Sequence, residues 1–208
     1  MRTGSSRLWE WHTGIRTEGT IDLRTVGCEA QDRVHYMPSG WTTLPRILPR
    51  REVGPDDVFV DFGSGLGRVV FQAARYYPFK AVIGVEVSEQ LQAAARANID
   101  RNRANLRAGD VELVTCDAAA YRVPDDVTVA YFFNPFTGPV FTQVIANLVE
   151  SFDRRPRRLR VIYRNPAEHE FLLSTGRVRL VRRLPGLRPT PQWSRSNATY
   201  LYEVVGRD

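Results

Sequence analysis

The chain has 208 residues, of which 43% are hydrophobic and 25% are charged, and its formal net charge is +6. This composition is typical of one soluble globular domain with a substantial core, and it excludes wholesale disorder. Residues 1–11 contain no apolar leader, and no apolar run approaches the ~20 residues that a membrane-spanning helix needs. We therefore expect a cytoplasmic protein with no membrane partner.

The basic residues and the cysteines indicate no special class of protein. Lys80 is the only lysine among the 29 basic residues, a skew that fits codon composition better than nucleic-acid binding. The arginine-rich run at 154–160 has no interleaved aromatic residues for base stacking and is more typical of a solvated loop. Cys28 and Cys116 lack the spacing of a disulfide framework or a zinc site, so we expect no metal.

The first 50 residues lack a regular alternation of strand and helix but are rich in aromatic side chains. This predicts an N-terminal cap, residues 1–50, that belongs to the same domain as residues 51–208. Within the cap, Leu44, Ile47 and Leu48 predict a short helix that Pro49 ends.

From residue 57 onward, apolar runs alternate with helical patterns, which predicts a parallel sheet with helices on both faces. The predicted strands are 58–62, 81–87, 111–115, 127–133 and 160–163. The predicted helices are 67–77, 88–103, 140–152 and 168–173, with a turn or short helix at 118–121. Two final strands, 178–182 and 199–205, predict an antiparallel hairpin around a proline-rich connection. The expected architecture is a mostly parallel α/β sheet of seven strands.

Residues 58–70 have the pattern of a strand, a glycine-rich turn and the start of a helix. Gly63, Gly65 and Gly67 permit backbone angles closed to other residues, and a helix start offers unpaired amides, so we expect a ligand here. A dinucleotide-binding turn would place its third glycine at position 68, which is Arg68 in this chain. A nicotinamide-dependent oxidoreductase, NAD(P) being its cofactor, is therefore disfavoured, and a non-catalytic nucleotide-binding module stays open.

Polar residues lie at or just past the ends of four predicted strands, at the edge where open α/β sheets bind ligands. They are Asp61, Glu86, Asp117 and Asn134. Glu86 lies about 20 residues beyond the glycines, which is the placement of a carboxylate that binds both hydroxyls of a ribose.

The pattern Asp61-x-Gly63-x-Gly65-x-Gly67 resembles the first motif of class I S-adenosylmethionine-dependent methyltransferases. The resemblance continues through residues 84–88, 114–118 and 133–136, and covers most of residues 56–165. It implies a Rossmann-like class I methyltransferase fold with S-adenosyl-L-methionine as the cofactor. The first two motifs look most like the branch of the Dot1-type histone-lysine methyltransferases and their small bacterial relatives. That branch would carry Asn-Asn after the fourth strand, so its lysine substrate is not carried over.

The resemblance also implies roles for individual residues. The main chain around Gly63 and Gly65 would hold the methionine part of the cofactor, and Asp61 would anchor the turn. Glu86 would bind the ribose hydroxyls, and Asp117 would accept a hydrogen bond from the adenine amino group. The predicted cofactor contacts are Asp61, Gly63, Ser64, Gly65, Gly67, Glu86, Val87, Asp117, Ala118 and Asn134.

Asn134-Pro135-Phe136 resembles the signature of methyltransferases that act on planar nitrogens, although one proline is missing. In that signature the side-chain oxygen and the proline carbonyl accept N–H bonds, and the aromatic ring stacks on the substrate. Asn134 and Pro135 are therefore predicted catalytic residues and Phe136 a predicted substrate contact. A purely structural turn is the alternative.

Three aromatic residues outside these motifs are further candidates. Tyr36 is predicted to close over the site as a catalytic and substrate-binding residue, and Trp41 and Trp193 are predicted to contact the acceptor. Packing in the core or over the sheet edge is their alternative.

We expect methyl transfer to a nitrogen of a small molecule, with a protein or nucleic acid as the alternative acceptor and the oligomeric state open. A macromolecular acceptor would predict that arginines 154–160 and 177–183 lie on the cofactor face.

Overall fold

The structure is a computed structural model that describes residues 3–19, 21, 37–186 and 198–206. Tyr36 and Trp193 lie outside these ranges. The roles predicted for these two residues, and the division into a cap and a main part at residue 50, stay predictions.

Seven strands form one sheet, and their bounds match the apolar runs of the sequence closely. They are β1 (Val58–Phe62), β2 (Ala81–Glu86), β3 (Asp110–Thr115), β4 (Val127–Phe132), β5 (Arg160–Arg164), β6 (Val178–Leu184) and β7 (Thr199–Val204). Their order in the sheet is β3-β2-β1-β4-β5-β7-β6. Strands β1 to β5 pair in parallel, and β7 is antiparallel to both of its neighbours, β5 and β6. The predicted mostly parallel sheet with a C-terminal antiparallel hairpin is confirmed.

The helices begin and end at recognisable signals. They are α1 (Thr3–Thr13), α2 (Thr43–Ile47), α3 (Arg68–Tyr76), α4 (Glu89–Asp100), α5 (Gly138–Arg154) and α6 (His169–Ser174), with 3-10 turns at Arg50–Glu52 and Arg103–Asn105. The Ser88 hydroxyl accepts a hydrogen bond from the Leu91 amide at 3.3 Å and so caps α4. Pro139 lies in the first turn of α5, where main-chain amides have no partner within the helix. Proline has no amide hydrogen and is therefore well suited to this position.

The core has two layers, one on each face of the sheet. On the first face, residues of β1, β4 and β5 pack against α5 and α6; its largest buried rings are Phe62, Phe132, Phe141, Tyr163 and Tyr202. On the second face, the sheet packs against α2, α3 and α4; its largest buried rings are Trp41, Phe59, Phe71, Tyr77 and Tyr131. Burial of both faces explains why the strands have continuous apolar runs instead of alternating ones.

Residues 118–121 form a turn, which is one of the two predicted alternatives. One detail differs from the predicted elements: β6 continues to Leu184, with an irregular register between Leu180 and Arg182. Among the helices of the described ranges, none combines the length and the apolar character that crossing a membrane requires.

Candidate functional site

Residues 63–67, here called the glycine turn, connect β1 to α3 at the point where the strand order reverses. Gly63, Gly65 and Gly67 all have left-handed backbone angles, with φ of 73°, 54° and 79°. Such angles strain residues that carry a Cβ atom, which explains three alternate glycines. The amides of Gly63 and Ser64 both donate to the Val85 carbonyl, at 2.9 and 3.0 Å. The turn is therefore fixed against the end of β2.

The glycine turn approaches the segment after β4 very closely. A Cβ atom on Gly63 would lie 2.4 Å from the Cβ of Pro135, a distance that real atoms do not adopt. The structure therefore brings Pro135 and its neighbour Asn134 directly to the glycine turn, as the predicted site requires.

The Ser64 side chain faces the interior. Its hydroxyl oxygen would lie 3.0 Å from a Cβ atom on Gly84, and it is buried without a hydrogen-bond partner among the described residues. Its hydroxyl thus fills the space that Gly84 leaves open on β2. Only the main chain of Ser64 is therefore in a position to contact a cofactor.

Glu86 supports the glycine turn directly. One carboxylate oxygen accepts a hydrogen bond from the Gly65 amide at 2.9 Å. The other accepts from the amides of Val87 and Ser88, at 2.9 and 3.0 Å. The side chain is 6% exposed, so these charge-assisted bonds form in a desolvated place where they are strong. Glu86 therefore fixes both the turn and the start of α4.

Asp61 is the second carboxylate at this edge. It is 4% exposed, and its carboxylate accepts no hydrogen bond from the residues that the structure describes. Burial, with a smaller contribution from the nearby Glu86 charge, raises the pKa of Asp61 well above its ordinary value. A ligand that brings a positive charge or several hydrogen-bond donors would therefore stabilise the ionised form of Asp61.

The predicted adenine contacts lie at the end of β3. One Asp117 carboxylate oxygen accepts from the Ala119 amide at 3.0 Å, and Ala118 is buried. Val87 follows β2 and is half-buried. All three lie at the carboxyl edge of the strands, together with Glu86.

Asn134 adopts a left-handed conformation with φ of 44° and is 5% exposed. Its side-chain oxygen accepts a hydrogen bond from the Tyr163 hydroxyl at 3.0 Å. The Glu168 amide donates to the same hydroxyl at 3.4 Å, so the one proton of Tyr163 is available for Asn134. The orientation of the Asn134 amide is thus set by the next strand, β5.

Phe136 and Trp41, both predicted to contact the substrate, are buried in the two core layers. Phe136 packs edge-on against Phe132 at 6.1 Å between ring centroids. Trp41 stacks on Trp9 at 5.6 Å and meets Phe71 edge-on at 6.3 Å. The core-packing alternative describes these contacts well, and their substrate roles stay predictions.

Arg68 is a residue whose role sequence reasoning misses. In the sequence it stands out only as a position that lacks a glycine, yet it is 4% exposed and its guanidinium lies 2.7 Å from Glu18 and 3.0 Å from Glu10. It also lies over the ring of Trp41, 5.1 Å from the centroid. A charged residue directly before the apolar pair Val69-Val70 is the signal that could draw attention to it.

Comparison with known proteins finds similarity to one family over part of the chain. Residues 39–116 match the family of the histone methylation protein DOT1. A protein-lysine N-methyltransferase of Saccharolobus islandicus (strain REY15A) is 34% identical over 79 residues, 38% of this chain and 49% of that protein. The H3 lysine-79-specific histone-lysine N-methyltransferase of Drosophila melanogaster is 24% identical over 190 residues, 83% of this chain and 10% of that protein. The chain thus spans about half the length of the first relative and a tenth of the second.

A solved structure agrees with the sheet topology. An RNA methyltransferase from Salinibacter ruber, crystallised in complex with S-adenosyl-L-homocysteine, superposes with a TM-score of 0.53 at 20% identity, over 83% of this chain and 98% of that one. These comparisons confirm the fold and the resemblance found in the sequence. The chain has the class I methyltransferase fold, and residues 39–116, which carry the glycine turn, are similar in sequence to the DOT1 family.

Proposed function

We propose that the protein is an S-adenosylmethionine-dependent methyltransferase that acts on a nitrogen atom of a small-molecule acceptor. The observation that best supports this cofactor is the pair of buried carboxylates, Asp61 and Glu86, at the glycine turn. A ligand there has to bring positive charge or several hydrogen-bond donors. S-adenosylmethionine brings both, because its ammonium and sulfonium groups are cationic and its ribose hydroxyls are donors.

Asp61 argues against a nicotinamide dinucleotide, whereas Glu86 does not, because a carboxylate at its place binds ribose hydroxyls in dinucleotide-binding folds too. A pyrophosphate at the glycine turn would place negative charge beside an ionised Asp61, and like charges in a desolvated site repel strongly. The nearest cation in the sequence, Arg68, does not offset this, because its guanidinium is engaged by Glu10 and Glu18 of the N-terminal part.

S-adenosylmethionine supplies, when bound, a methyl group on a positively charged sulfur. The task left to this chain is to hold the donor and to place the acceptor in line with it. Glu86 and the glycine turn are suited to the first role. Asn134 and Pro135 are suited to the second because Pro135 contacts the turn. Positioning of this kind is worth up to ~7–11 kcal/mol of the barrier in favourable cases.

One of the two arginine groups that a polyanionic acceptor would predict on the cofactor face, the run at 154–160, does not lie there. Arg154 pairs with Asp125 at 2.6 Å, and Arg160 pairs with Asp57 at 3.2 Å. Both pairs precede parallel strands and therefore lie at the amino edge of the sheet, opposite the glycine turn. The basic run at 154–160 thus forms no anion-binding face beside the cofactor site.

A protein lysine is the second candidate acceptor, because the similar proteins of Saccharolobus islandicus and Drosophila melanogaster are named as lysine methyltransferases. The similarity to the first of them covers 38% of this chain. The family match ends at residue 116, before Asn134. The family match therefore supports S-adenosylmethionine as the cofactor more than it supports a lysine as the acceptor.

Calorimetric titration with S-adenosylmethionine, S-adenosylhomocysteine and NAD tests the cofactor. We expect the first two to bind and NAD not to bind; binding of NAD alone would overturn the proposal. The acceptor is tested with methyl-labelled S-adenosylmethionine and the separated metabolite and protein fractions of a cell extract. Label in the metabolite fraction supports a small molecule, whereas label confined to protein supports the second candidate. Glu86→Gln is the control that should transfer little label to either fraction.

A further inference from the structure

We infer that Arg68 is a positioning residue for the cofactor site. It fastens the N-terminal segment, residues 3–19, to the start of α3, so that packing of this segment and cofactor binding at the glycine turn strengthen each other. The inference rests on the cofactor of the proposed function. It does not require any residue of the N-terminal segment to touch the cofactor.

Arg68 connects the glycine turn with distant parts of the chain. It directly follows Gly67 and is the first residue of α3. Its Nε donates to the Thr17 hydroxyl at 2.6 Å, and its Nη1 donates to the Ser39 carbonyl at 3.2 Å. The side chain thus contacts two segments that lie 51 and 29 residues away in sequence.

Two carboxylates also lie beside the guanidinium. Nη2 of Arg68 lies 3.0 Å from Glu10 and 2.7 Å from Glu18. The same Glu10 oxygen also accepts from the amide and the hydroxyl of Thr17, both at 2.7 Å. A buried guanidinium is tolerated only when such partners surround it. Loss of Arg68 would therefore remove the link from Glu10 and Thr17 to α3 and loosen the packing of the segment.

Asn98 of α4 provides a second, independent attachment. Its side-chain nitrogen donates to the carbonyls of Arg16 and Leu66, at 3.0 and 3.1 Å. Its oxygen accepts from the Arg16 amide at 2.9 Å. Leu66 lies inside the glycine turn, and Asn98 is 2% exposed. The N-terminal segment is therefore held to the turn itself as well as to the residue that follows it.

These contacts couple two events by ordinary linkage. The turn needs three left-handed glycines, which are the most mobile residues in an unconstrained chain. Contacts at Leu66 and Arg68 restrict that mobility before a ligand arrives, so less ordering has to accompany binding. By reciprocity, a ligand that orders the turn must favour packing of the N-terminal segment by the same factor.

The test compares S-adenosylhomocysteine affinity and hydrogen exchange in matched variants. We expect Arg68→Gln to bind S-adenosylhomocysteine ~5- to 150-fold more weakly, the usual range for coupled sites. In the wild type, S-adenosylhomocysteine should slow amide exchange within residues 3–19, and in Arg68→Gln this slowing should disappear. Glu10→Ala removes a partner from the segment, leaves α3 intact, and should shift both measurements in the same direction.

Arg160→Gln is the matched control. Arg160 is also a buried arginine, 2% exposed and paired with Asp57, but it lies at the opposite edge of the sheet. Arg160→Gln should lower stability without changing the affinity for S-adenosylhomocysteine or the amide exchange of residues 3–19. If Arg68→Gln and Glu10→Ala both bind S-adenosylhomocysteine with wild-type affinity, the inference about Arg68 is overturned, but the proposed cofactor is not. A wild-type protein that does not bind S-adenosylhomocysteine would overturn the proposed function and this inference together.

Discussion

Replacing Gly63 with alanine puts a methyl group where the structure has no room for one. The new Cβ would lie 2.4 Å from Pro135 Cβ and 3.2 Å from Pro135 Cγ. Position 63 also has φ of 73°, so alanine adds backbone strain. Gly176 is a matched control because its φ is 64° and no neighbouring atom lies within 4 Å of the place that a Cβ would take there. Gly176→Ala therefore measures the backbone strain alone.

The two contributions have different sizes. A left-handed conformation costs a residue with a Cβ atom ~1–2 kcal/mol. Forcing an extra methyl group into a packed site costs a further ~1–3 kcal/mol. We thus expect Gly176→Ala to lose ~1–2 kcal/mol of unfolding free energy and Gly63→Ala to lose ~2–5 kcal/mol. In a domain of this length each 1 kcal/mol lowers the melting temperature by ~2–4 °C.

Urea unfolding followed by circular dichroism measures both losses, and a Pro135→Gly background isolates the clash. Glycine at position 135 removes the atoms that the new methyl group would meet. In that background the cost of Gly63→Ala should fall to that of Gly176→Ala. Equal costs of the two alanine variants in the wild-type background would refute the close approach between the glycine turn and the segment after β4.

Three further predictions concern the polar residues of the site. Because burial raises the pKa of Asp61, the folded protein loses stability as the pH rises above the ordinary aspartate pKa of ~3.9, until the raised value is passed. Asp61→Asn should therefore stabilise the cofactor-free protein by an amount that grows above ~pH 4, with little gain below that pH. The same variant should bind S-adenosylmethionine more weakly, and a melting temperature below the wild-type value at high pH would contradict the reasoning. Glu86→Gln leaves one acceptor oxygen for three main-chain amides, so calorimetry should show ~10- to 100-fold weaker S-adenosylmethionine binding; an unchanged affinity would count against this role. Tyr163→Phe should lower the rate of methyl transfer by a larger factor than it lowers cofactor affinity, because the Asn134 amide loses its fixed orientation. Tyr77→Phe, which removes another buried hydroxyl, should lower stability alone, and an equal loss of rate in both variants would argue against the Asn134 contact.

The strands and the glycine turn were predictable because their signals are local. An apolar β-branched run such as 58–62 predicts a strand buried on both faces, and alternate glycines predict left-handed angles. The absence of a helix at 118–121 was not predictable from three alanines, since intrinsic propensity is weak in a segment this short.

The contacts that organise the site were hidden from sequence reasoning because they join distant residues. Arg68 meets Glu10 across 58 positions, and Tyr163 meets Asn134 across 29. In the second pair, Tyr163 lies on β5 and Asn134 follows the neighbouring strand β4, so knowledge of the strand order would have suggested the contact. The first depends on how the N-terminal segment folds back, which no periodic pattern in the sequence specifies.

The outer strands of the sheet have a consequence for solubility. β3 and β6 end the strand order, so each has one side whose main-chain groups pair with no other strand of the described sheet. Such edges invite pairing with a second chain unless charged side chains interrupt them. β6 carries Arg179, Arg182 and Arg183, and β3 carries Asp110 and Glu112. These charges oppose edge-to-edge association between like strands, and neutralising the arginines of β6 would turn this edge into a site of aggregation.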